Sequence, residues 1–141
     1  MHSPKLSFPA ILAGILTVAA TTWALAATKP SSGDGPLKTW LFIVGMLAQW
    51  LVSGALAGFI AGRRGFLHGL LLAAIGCPIV SALWLTLLSG WRIFSAALYW
   101  PIFRDFILFA APLAILGGIL GSLVGRRTET SSSRPLTIRL S

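Results

Sequence analysis

Charge is scarce in this sequence, and acid is scarcer still. Charged residues make up 10% of the 141 residues, and only three are acidic against eleven basic. A soluble domain carries about 25% charged residues, so a chain that is 56% hydrophobic has too little polar surface to cover itself in water. A single cysteine, Cys77, excludes an intramolecular disulfide framework and any multi-cysteine metal site. The two histidines have no acidic or cysteine neighbours at ligand spacing, which leaves no zinc-type site. No carboxylate lies inside an apolar stretch, although proton-coupled exporters rely on such a group. Nucleophile–base pairs and phosphate-cradling loops are missing as well. The expectation is a non-enzymatic protein with no cofactor. The net charge of +8 does not point to nucleic acid, because the basic residues punctuate apolar segments and form no patch interleaved with aromatics.

What the chain has in abundance is long apolar runs. Four appear, over about 6–27, 40–62, 66–89 and 106–125, and none contains Asp, Glu, Lys or Arg. Each has roughly the 20 residues that a helix needs to cross a hydrocarbon core of about 30 Å. Their unbroken apolar character, without period-2 alternation, selects helices over a barrel. The expected fold is all-α: a four-transmembrane-helix bundle of two tandem helical hairpins in one domain, 1–127, then a flexible tail, 128–141. Leu136, Ile138 and Leu140 in that tail alternate with polar residues and form either a chance pattern or a strip for a partner's sheet edge. The aromatic-rich stretch 90–104, with Trp91, Phe94, Tyr99, Trp100 and Phe103 between Arg92 and Arg104, is too short to span. It is expected to lie as a short interfacial helix before the fourth span.

With the amino terminus inside, Lys5, Arg63, Arg64, Arg126, Arg127, Arg134 and Arg139 face the cytoplasm, and Lys29, Lys38, Arg92 and Arg104 face away. Seven against four predicts both termini in the cytoplasm of a multi-pass inner-membrane protein, with Arg63, Arg64, Arg126 and Arg127 as topology and headgroup anchors. The first segment also offers a small-x-small pattern, Ala24-Leu25-Ala26. Its apolar stretch exceeds the about 7–15 residues of a signal-peptide core, which favours a retained span.

The most informative motif is a repeat. Gly54-x3-Gly58-x3-Gly62-Arg63-Arg64 returns 63 residues later as Gly117-x3-Gly121-x3-Gly125-Arg126-Arg127. Positions four apart share one helix face, so two helices each carry a bare backbone groove for close helix packing. A third small-residue row, Gly65, Gly69, Ala73 and Cys77, follows a three-residue link and is expected to face the glycines of the second helix. Gln49 and Ser53 lie one turn apart near mid-span. They either hydrogen-bond between helices or line a polar path with Thr21, Thr22, Ser81 and Thr86. His68 is expected at the boundary with its tip in water. Pro78 and Pro112 fall inside spans and should bend them.

The stretch Gly54-Ala-Leu-Ala-Gly-Phe-Ile-Ala-Gly-Arg-Arg-Gly-Phe-Leu-His-Gly-Leu-Leu, with Leu116-Gly-Gly-Ile-Leu-Gly, resembles a group of small four-helix prokaryotic integral membrane proteins of unknown function. These have glycine-rich second and fourth helices. The resemblance implies a fold and a location, and no activity. Two functions are therefore expected. One is an accessory or scaffold subunit that associates with its own kind or with a membrane-protein partner through the glycine stripes. The other is a small oligomeric channel, permease-like or holin-like pore former.

Overall fold

The computed structural model describes residues 7–62, 64–89 and 96–132. Lys5, Arg63, Trp91, Arg92, Phe94 and the alternating strip Leu136–Leu140 lie outside them. Four helices fill the described chain: α1 (Phe8–Ala27), α2 (Pro36–Ala61), α3 (Gly65–Ser89) and α4 (Ala96–Ser132). All four are long and apolar enough to cross a membrane.

Local chemistry sets the helix ends. Proline occupies the first turn of α1 and of α2, where its missing N–H costs nothing and its fixed φ suits the helix. Before α2, the Asp34 carboxylate accepts from the Ser31 N–H at 2.6 Å and pairs with Lys38 at 2.9 Å. These bonds, the backbone bond first, hold the Asp34 carboxyl down at about 2. A depressed folded-state value means the carboxylate favours this turn above the ordinary value of 3.8. That contribution is lost as pH falls through about 2. An NMR titration of the Asp34 carboxyl carbon is expected to show the low midpoint; a midpoint at the ordinary value would refute the turn. At the other end of α2, Gly62 adopts φ 61° and its N–H donates to Gly58 O at 3.0 Å. This left-handed cap suits glycine. Arg64 shares the conformation at φ 58°, so the chain reverses into α3 within three residues.

Two boundaries depart from expectation. Residues 96–104 form no separate interfacial helix: from Ala96 they run without a break into α4, a helix of 37 residues that carries Pro101 and Pro112 inside it. The helix also continues past Arg127 to Ser132, where the flexible tail was expected to begin. In both places the apolar run stops but nothing stops the helix, since a charge at a lipid boundary does not interrupt the i→i−4 bonds.

The bundle is inside-out relative to a soluble protein. Small and weakly polar residues face inward, with Ala10, Thr22, Ser53, Ala57, Ser81 and Ala114 among the most buried. Leu12, Leu16, Val44, Val52, Leu108, Leu123 and Val124 stand exposed, as expected for a bundle solvated by lipid. Trp23, Trp40 and Trp100 are exposed at one end, in the position of an interfacial aromatic belt; Arg64, Arg126 and Arg127 mark the other. Between α1 and the remaining helices, Val18, Trp50, Leu72, Cys77, Val80 and Trp84 form the core. α4 lies in the groove between α2 and α3, and α1 packs on their other side with its backbone away from α4.

Candidate functional site

The glycine stripes bring α2 and α4 together as a parallel pair. A Cβ at Gly54 would fall on the Ala114 carbonyl, and one at Gly58 on the Gly118 carbonyl. From the other side, a Cβ at Gly117 would fall on the Leu51 carbonyl and one at Gly121 on the Ala55 carbonyl. The 63-residue repeat matches Gly54 to Gly117, Leu51 to Ala114, Gly58 to Gly121 and Ala55 to Gly118. Each contact therefore has its mirror, and the two helices are related by a local pseudo-two-fold axis along their length. Gly125 continues the row at Phe59, 2.9 Å from a Cβ to the carbonyl oxygen. Close to it, Arg126 Nε donates to Gly62 O at 3.3 Å and ties the two helix ends. Without a hydrophobic drive in lipid, backbone approach of this kind supplies the dispersion that holds helices together.

The third small-residue row was expected on α2, and the structure corrects this. A Cβ at Gly65 would meet Gly118 O, and one at Gly69 would meet Ala114 O and Ile115 Cα, so the glycines of the row lie on α4. The reason is that α4 carries two adjacent small faces: Gly117, Gly121 and Gly125 toward α2, and Ala114 and Gly118 in the angle between α2 and α3. A helix with two bare faces enters the groove between two others. As a result the stripe glycines are occupied within one chain.

Gln49 is 4% exposed and joins α2 to α1. The Thr21 and Thr22 hydroxyls donate to its Oε1 at 3.2 and 3.1 Å. Each hydroxyl also sits on a carbonyl of its own helix, Thr17 O at 2.8 Å and Val18 O at 2.7 Å. One hydroxyl has one proton, so the two bonds compete; exchanging the amide O and N lets Nε2 donate to both oxygens while the back-bonds persist. Either arrangement is interhelical. Ser53 does not join it: its hydroxyl is buried without a partner among the described residues, as is that of Ser81. Thr86 bonds back to Ala82 O at 2.8 Å. Of the expected polar path, Gln49, Thr21 and Thr22 are linked, while Ser53, Ser81 and Thr86 do not extend the link among the described residues. Gln49→Leu is expected to loosen α1 by about 1–2 kcal/mol, read as a small drop in thermal stability, because both threonines keep their back-bonds. Loss of the fold would contradict this.

His68 is corrected more sharply. It is 3% exposed, not tipped into water. Its Nε2 accepts the Ser7 N–H at 3.3 Å, and Nδ1 lies 3.1 Å from Arg64 O. A carbonyl needs a donor and an N–H needs an acceptor, so the ring is the neutral Nδ1–H tautomer. It pins the start of α1 to the α2–α3 turn.

At the tryptophan end α2 and α4 diverge and leave a lateral slot of about 310 Å³, lined by residues including Met46, Leu47, Trp50, Asp105, Phe106 and Phe109. Asp105 pairs with Arg104 at 3.0 Å. Neither the slot nor the buried histidine is legible from residue types, since both depend on where helices touch and part. Among the described residues no group of three or more His, Cys, Asp or Glu could hold a metal. Compared with known proteins, the chain matches no family model, no curated protein and no solved structure.

Proposed function

We propose that this chain is a non-enzymatic accessory or scaffold subunit of a prokaryotic inner membrane, in the manner of the small four-helix proteins it resembles, with both termini cytoplasmic. The observation that carries the reading is the placement of polarity. Gln49, Thr21 and Thr22 are turned on one another between α1 and α2, the core is filled by Trp50, Leu72, Val80 and Trp84, and the outward surface is apolar. Such a body acts by contact. Because the stripe glycines hold the chain's own helices, association with a copy or a partner uses the lipid-facing surface instead. The pore reading has less support, since Gln49 faces inward to Thr21 and Thr22 and offers no polar surface for several copies to enclose.

Photo-crosslinking residues placed one at a time at exposed Leu16, Ile79 and Leu120 test the proposal in intact cells. One face is expected to give a discrete protein adduct while the others label lipid, and reconstituted liposomes should show no ion flux. Lipid adducts at every site together with flux would overturn it.

A further inference from the structure

The slot between α2 and α4 has the polarity of an amphiphile. Its one charged lining residue is Asp105, which pairs with Arg104 on the side toward the exposed Trp100, and its walls include Met46, Leu47, Trp50, Phe106 and Phe109. From Ile102 to Ala110 it follows α4 for about 12 Å at 1.5 Å per residue. It ends there because one turn further on the glycine contacts begin, with Gly117 on Leu51 and Gly54 on Ala114, and the backbones close. A partner helix would need a groove along the whole span of about 30 Å. A slot that is open sideways, carries one carboxylate among apolar walls and stops short of the full span fits a flexible hydrocarbon chain.

The paired charges define the headgroup. Arg104 Nε and Nη2 both donate to Asp105 Oδ1, at 3.1 and 3.0 Å. Asp105 Oδ2 has no partner among the described residues, and the pair is largely exposed. A free carboxylate oxygen accepts from a cationic N–H donor, and a guanidinium at the next residue binds a phosphate oxygen. We propose that the slot binds one acyl chain of a glycerophospholipid whose headgroup joins a phosphate to a primary ammonium, phosphate on Arg104 and ammonium on Asp105. A quaternary ammonium has no N–H to donate to Oδ2, and a headgroup with only the phosphate charge leaves Asp105 facing an anion.

Native mass spectrometry of the delipidated full chain tests this, by titration with phosphatidylethanolamine, phosphatidylcholine and phosphatidylglycerol of identical acyl chains. One retained molecule of the ethanolamine lipid is expected, about tenfold tighter than the choline lipid, as one charged hydrogen bond provides. Leu47→Trp, which fills the slot from its exposed wall, should abolish retention of all three. Asp105→Asn should keep retention and lose the preference for ethanolamine. If Leu47→Trp disturbs the fold by circular dichroism, Ile102→Trp fills the same space from α4. Equal binding of the three lipids by the wild type, or undiminished retention in a folded slot-filling variant, would overturn the assignment.

Discussion

Gly58→Leu is expected to abolish the four-helix body, in detergent as in the membrane, at every protein concentration. A Cβ at this position would already occupy the Gly118 carbonyl, so the obstacle is backbone, which cannot turn aside as a flexible side chain can. α2 and α4 must separate, and the contacts at Leu51, Ala55 and Phe59 then open together because they form one row. Overpacking a tight core costs about 1–3 kcal/mol, occasionally more, and a backbone obstacle places this change at the upper end or beyond. Gly121→Leu, its mate under the pseudo-two-fold, should have the same effect through the Ala55 carbonyl. The double variant should lose less than the sum, since both changes open one interface. Helicity and Trp50 fluorescence during an SDS titration would follow the loss, as Trp50 is buried against Phe106 at 6.4 Å between ring centroids. Gly33→Leu provides the control, because a Cβ there meets nothing within 4 Å. If the stripes instead joined separate chains, Gly58→Leu would give a stable folded monomer, and wild-type stability would rise with concentration.

The second large effect is a contrast within α3. Gly69→Ala is expected to be severely destabilising, at about the upper end of the 1–3 kcal/mol overpacking range, because the methyl would meet the α4 backbone at Ala114 and Ile115. Gly76→Ala, two turns along the same helix, meets side chains and no backbone: the ring edge of Trp50 at 3.1 and 3.3 Å and Val18 Cγ1 at 3.8 Å. An indole can shift by a few tenths of an ångström, and alanine is the better helix former, so this change should be close to neutral. Thermal unfolding of the two variants checks the pair. Equal penalties would show that α3 does not lie on α4 as described.

The spans were legible in the sequence because a run of apolar residues without charge has few other destinations. Their ends were less so. α2 begins at Pro36 and α4 at Ala96, ahead of the limits of about 40 and 106 that hydropathy marks, since the helices carry Lys38, Arg104 and Asp105 across the boundary. The glycine stripes were visible as surfaces for close approach, yet a stripe carries no address. The clue lay in the repeat: two copies of one motif on helices that run in the same direction can pair symmetrically, whereas α3 runs against them. Gln49 was readable as an interhelical group, with Thr21 and Thr22 among its candidate neighbours. The burial of His68 was not, because nothing near it in sequence says that the start of α1 at Ser7 folds back onto it.

The central claim, that α2 and α4 of one chain meet in parallel along their glycines, is most directly tested with Phe59→Cys and Gly125→Cys in a Cys77→Ala background. Gly125 is the least crowded stripe position on α4, and a Cβ there lies 2.9 Å from Phe59 O. A short bifunctional thiol reagent should link the two positions within a single chain, read as a linked peptide pair from protein that still runs as a monomer. Crosslinked dimers, or unlinked thiols in a folded bundle, would contradict the account.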